Sequence, residues 1–168
     1  MLYKPQLIIN SGTSQRNALI IDNGNNDIYL IISDNIISGE LSGGSSSYFG
    51  INGVYSSGGN GKQKIYNNKI YNFSLNGSGA GMYLRFSGLA YVDNNTIINC
   101  YNGLVGLGPG WKIAINNLIY NCDNAAVSSY FAAGTDYNAT NNSVMGYTVS
   151  GGGNIHDRLS QNFFLGLV

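Results

Sequence analysis

Short apolar runs alternate with Asn-, Gly- and Ser-rich stretches along residues 27 to 145. The runs are four to six residues long with partial period-two alternation, which predicts strands rather than helices. They fall in a repeating frame. Paired polar residues stand at Asp34-Asn35, Asn67-Asn68, Asn94-Asn95, Asn116-Asn117 and Asn141-Asn142, spaced by 33, 27, 22 and 25 residues. Two residues after each pair comes an aliphatic side chain: Ile37, Ile70, Ile97, Ile119 and Val144. Two further on stand Gly39, Asn72, Asn99 and Asn121, and Gly61, Gly88 and Gly110 each precede their pair by six. A second frame, Gly50-Ile51, Gly81-Met82, Gly103-Leu104 and Ala126-Val127, recurs at 31, 22 and 23.

The uneven spacing selects the architecture. Strands buried in a single globular core tolerate no insertions, whereas a coil of stacked rungs accommodates extra residues at its turns. The longer inserts, ISGELSGGSSSYF and NFSLNGSGAG, are Gly- and Ser-rich as bulging loops should be. In this frame Ile65 and Val92, the second Asn of each pair and the following Ile point inward. Outward positions of the strand before the pair carry Lys62, Lys64 and Tyr66, then Leu89, Tyr91 and Asp93, then Trp111. The third of these copies departs from the pattern. Ile113 and Ile115 are apolar where Lys112 is not, which predicts a bulge or register shift near Trp111.

The phrases YNNKIYNF, DNNTIINC and INNLIYNC resemble repeats of right-handed parallel β-helix proteins, the pectate-lyase-like superfold. The resemblance implies an all-β solenoid of about seven rungs, each of three strands, with like residues stacked one strand spacing apart. It implies a single domain over 1–168, with 135–168 as a closing segment. That tail, TDYNATNNSVMGYTVSGGGNIHDR, is similar to closing segments of secreted and phage-associated β-helix proteins, which places the chain outside cells or on a virion surface. No capping helix is recognisable at the start and the tail stops early, so the expectation is an uncapped piece of a longer chain.

Composition narrows the chemistry. Only 10% of residues are charged and the formal net charge is zero. Nucleic acid and anionic membranes both require a basic surface, so neither is expected as a partner. No apolar run is long enough for a transmembrane helix, and the start MLYKPQLIIN does not read as a signal peptide. The family includes polysaccharide lyases and hydrolases. Glycoside hydrolysis generally needs two carboxylates across the bond. The chain has one Glu and seven scattered Asp with no Asp-Asp pair, and Asp93 has no acidic counterpart in the stacked frame. The reading therefore leans away from an enzyme, with no catalytic residue, metal or cofactor assigned.

His156, Asp157 and Arg158 form the densest ionisable cluster, read either as a sugar-binding group or as a capping loop in which Asp157 and Arg158 pair. Cys100 and Cys122 occupy equivalent positions and read as stacked thiols in adjacent rungs rather than as a disulfide. The stronger signal is the outward set Lys62, Lys64, Tyr66, Tyr91 and Trp111. Flat rings among hydrogen-bonding groups suit pyranose faces. The same set, with Leu89 and Ile113, also suits an interface with another copy or with the rest of a longer chain. Three readings follow: a non-catalytic module contacting polysaccharide, a structural spacer or oligomer stalk, and a fragment of a polysaccharide lyase or hydrolase.

Overall fold

The structure, a computed structural model, describes residues 6–8, 16–21, 29–39, 48–53, 61–73, 79–85, 88–108, 110–132, 135, 138–140 and 147–150. Through its first thirteen strands the chain turns through three sheets in rotation. Sheet A holds β1 (Gln6–Ile8), β4 (Ile36–Ser38), β7 (Lys69–Tyr71), β10 (Thr96–Ile98), β13 (Leu118–Tyr120) and β15 (Ala139–Thr140). Sheet B holds β2 (Arg16–Ile21), β5 (Tyr48–Gly53), β8 (Ala80–Leu84) and β11 (Asn102–Gly106). Sheet C holds β3 (Tyr29–Ser33), β6 (Lys62–Tyr66), β9 (Leu89–Asp93), β12 (Lys112–Ile115) and β16 (Tyr147–Ser150). The nine-residue β14 (Asn124–Ala132) pairs with β11 at one end and with β12 and β16 at the other, so sheets B and C share it. Every pairing among the described residues is parallel, and the architecture is the expected right-handed parallel β-helix.

The bend from sheet C to sheet A is built by the Asn pairs. The first member of each takes the left-handed conformation: Asp34, Asn67, Asn94 and Asn116 have φ of 61°, 55°, 54° and 55°. Asn and Asp tolerate that region better than other residues carrying a Cβ, because a short polar side chain can bond locally. The next corner repeats the device, with Asn72, Asn99 and Asn121 at 67°, 53° and 51°. The second member of each pair points inward and joins a ladder. Asn35 donates to Asn68 at 2.9 Å, Asn68 to Asn95 at 3.0 Å, Asn95 to Asn117 at 3.0 Å and Asn117 to Asn138 at 2.8 Å, always from Nδ2 to Oδ1.

Sheet A supplies the aliphatic column Ile37–Ile70–Ile97–Ile119, each partnered in register with the next and each buried. A fully buried Ile contributes roughly 1.5–3 kcal/mol. Sheet B approaches this column through glycine. A Cβ on Gly81 would strike Cγ2 of Ile97, and one on Gly50 would lie 2.6 Å from Cγ2 of Ile70. At Gly50 and Gly81 the second frame thus marks where the two sheets come too close for a Cβ.

Two expectations fail at the C-terminal end. The ladder continues through Asn138, and the aliphatic column continues to Thr140, which partners Ile119. Asn138 and Thr140 therefore occupy the places assigned above to Asn142 and Val144, both of which lie outside the described residues. The expected shift near Trp111 is also absent. β12 pairs with β9 in continuous register from Lys112↔Ala90 to Ile115↔Asp93. Lys112 instead points into the core, where its long stem carries the ammonium to carbonyls at the turn. A register irregularity does occur one rung later, between Ser128 and Phe131 of β14 against β16.

Candidate binding face

Four strands of sheet C present a grid of alternate side chains on their outer face. The register places Tyr29, Lys62 and Leu89 in one row, with Trp111, the residue before Lys112, opposite Leu89. Ile31, Lys64, Tyr91 and Ile113 form the second row, and Ser33, Tyr66, Asp93 and Ile115 the third. Parallel pairing keeps each row aligned, so the face is a platform spanning three strand spacings, roughly 14 Å.

Exposure distinguishes this face. Among the described residues the exposed large apolar side chains are Tyr29 at 62%, Ile31 at 51%, Tyr91 at 37% and Trp111 at 55%. All four stand on this grid. Lys62 and Lys64 are exposed between them, and Tyr66 is half-buried. The Lys64 ammonium lies 5.1 Å from the centre of the Tyr66 ring, a cation–π contact that holds the lysine along the sheet. Burial raises the Asp93 carboxyl above its usual value, and the Lys64 charge pulls it partly back. One Asp93 oxygen is buried without a hydrogen-bond partner, consistent with that direction.

The structure thus brings Lys62, Lys64, Tyr66, Tyr91 and Trp111 together on one face, in the arrangement the spacing implied. Tyr29 and Ile31 join them. Both were legible in principle: Tyr29 precedes Asp34 by five residues, as Lys62 precedes Asn67, and Ile31 precedes it by three, as Lys64 does. His156, Asp157 and Arg158 lie outside the described residues. No group of three or more His, Cys, Asp or Glu among the described residues could hold a metal ion.

Behind the platform, the inward side of sheet C changes type from rung to rung: Leu30, Gln63, Ala90, Lys112 and Phe131 share one column. The Lys112 Nζ donates to the carbonyls of Leu107 and Gly110, both at 2.7 Å, and burial lowers its pKa to about 8. Cys100 and Cys122 are buried in adjacent rungs and form no disulfide. The Cys100 sulfur donates to the Ile98 carbonyl at 3.4 Å, and burial pushes this thiol well above its usual pKa, which disfavours the thiolate.

No protein-family model, curated protein or solved structure matches the chain. What the fold defines is a parallel β-helix, and the geometry of the outer face of sheet C carries the functional reading.

Proposed function

We propose that the chain is a non-catalytic β-helix module of an extracellular or virion-surface protein, and that it contacts polysaccharide through the outer face of sheet C. The observation that carries this reading is the confinement of Tyr29, Ile31, Tyr91 and Trp111, the exposed large apolar side chains of the described residues, to one flat sheet. Aromatic rings lying among Lys62, Lys64 and Tyr66 offer apolar faces for sugar C–H groups and polar ends for hydroxyls. Because β6, β9 and β12 are paired on both sides and β3 on one, binding requires little ordering of the protein. The platform is shallow and leaves most of a bound sugar in water, so the expected affinity is weak. The proposal includes kinship with the pectate-lyase-like superfold, supported by the rotation of the chain through three parallel sheets. A glycan array probed with the wild-type chain and with Trp111→Ala tests it: a signal that disappears in the variant supports the reading, and the absence of any wild-type signal defeats it.

A second reading has its own support. Ile31 is half exposed, and Leu89, Ile113 and Ile115 are partly exposed beside it, a surface suited to covering by another chain. Under that reading the module is a spacer or oligomer stalk. Sedimentation showing stable oligomers, together with a silent glycan array, would favour it.

A further inference from the structure

A lysine with no exposed surface is unusual, because removing an ammonium from water is costly unless its hydrogen bonds are replaced. Lys112 replaces at least two of them with main-chain carbonyls of the turn that leads into its own strand. The bond to Gly110 has a specific topological consequence. It closes a ring running from the Gly110 carbonyl through the whole backbone of Trp111 to Lys112 and back along the lysine side chain. The bond to Leu107 ties in the start of the same turn, where the Leu107 N–H donates to the Leu84 carbonyl at 2.8 Å. At the other end the Trp111 carbonyl accepts from Ala90 N–H at 2.9 Å. Gly108, with φ of 82°, supplies the left-handed residue the tight path needs. Successive residues of a strand alternate sides, so a residue anchored inward at Lys112 sends Trp111 outward.

We propose that Lys112 is a positioning residue: by gripping the Leu107 and Gly110 carbonyls from inside the core, it fixes the backbone of Trp111 and holds that ring on the outer face. The corresponding positions in the two preceding rungs, Gln63 and Ala90, have no ammonium to make such a grip, so the device belongs to the rung that carries the tryptophan. Its consequence for ligand binding rests on the polysaccharide reading above, but the positioning itself does not.

Trp111 is the single tryptophan of the chain, so its emission reports this site alone when excited outside the tyrosine band. The test is time-resolved fluorescence anisotropy of the full chain without ligand. In Lys112→Met, which keeps the unbranched stem and removes the donors, the fast component of Trp111 motion is expected to grow while the β-sheet circular dichroism persists. Asn95→Leu is the control. It weakens a distant ladder, and the Trp111 anisotropy is expected to stay at the wild-type value. Unchanged anisotropy in folded Lys112→Met, or an equal change in Asn95→Leu, overturns the proposal. Should Lys112→Met fail to fold, hydrogen exchange in the wild-type chain decides. Protection of the amides at 108, 110 and 111 comparable to that of β12 supports the grip, and open-loop exchange there refutes it. Sugar binding is measured separately, so a silent glycan array sinks the polysaccharide reading without touching this one.

Discussion

The side-chain amide of Asn95 donates to Oδ1 of Asn117 at 3.0 Å, and the same oxygen accepts the backbone N–H of Asn95 at 3.0 Å. One acceptor thus satisfies both a side-chain and a main-chain donor of the neighbouring rung. The remaining amide hydrogen of Asn95 is shared between the carbonyls of Ile65 at 2.9 Å and Asp93 at 3.1 Å. A column of such residues satisfies itself at a corner where no strand pairing is available.

Asn95→Leu removes the acceptor used by the backbone and side chain of Asn68 and the donor used by Asn117. The expected cost is roughly 1–3 kcal/mol, measured as a lower urea midpoint. An unchanged midpoint would reduce the residue to a turn former.

Gly81→Ala places a methyl group against Cγ2 of Ile97 and 3.0 Å from the Gly103 carbonyl. Overpacking of this kind costs about 1–3 kcal/mol. Ile97→Ala alone should cost about 2–5 kcal/mol. The double variant should be more stable than the sum of the two predicts, because the second change removes the atom the first one strikes. Strict additivity in a denaturation cycle would show that the sheets can move apart.

Asp93→Asn is expected to stabilise the chain at neutral pH. The folded-state pKa of Asp93 is raised, chiefly by burial, so the unfolded state releases its proton first and stability falls as pH rises through that range. The variant lacks this loss. Its advantage over wild type should therefore vanish below the ordinary Asp value of 3.8, where both carboxyl states are protonated. Thermal midpoints taken across pH 3 to 7 would test it, and a variant less stable than wild type at neutral pH would show that the Lys64 attraction outweighs burial.

Lys112 gives the opposite slope. Its folded pKa is lowered by burial from 10.5 to about 8. Between those values the unfolded chain binds more protons, so stability rises with pH across the window. Subtracting the profile of Lys112→Met from that of wild type isolates the contribution of this residue. A flat difference would mean that the ammonium is not desolvated.

Tyr91→Ala combined with Trp111→Ala should abolish sugar binding, or self-association if that is the role of the face, with the unfolding free energy changed by about 1 kcal/mol or less, as is usual for exposed positions. Unfolding of the double variant would assign these rings to the core and end both readings.

Repetition of residue type makes much of this molecule readable in the chain itself. Ile37, Ile70, Ile97 and Ile119 declare one column because a parallel rung places like on like, and the Asn pairs declare a corner because few residues both accept the left-handed backbone and bond to a copy of themselves. The outward set from Lys62 to Trp111 follows from the same frame by alternation. Where a column changes type, the pattern is silent. In Gln63, Ala90, Lys112 and Phe131 nothing repeats, and a lysine among isoleucines suggests a slip of register rather than an inward turn. Only the tertiary structure decides that Lys112 enters the core, because its direction depends on carbonyls of Leu107 and Gly110 that the turn brings within reach of the stem. Likewise Asn138 takes the ladder position from Asn142: hydrogen-bond geometry with Asn117 selects the partner, and a doubled letter in the chain does not.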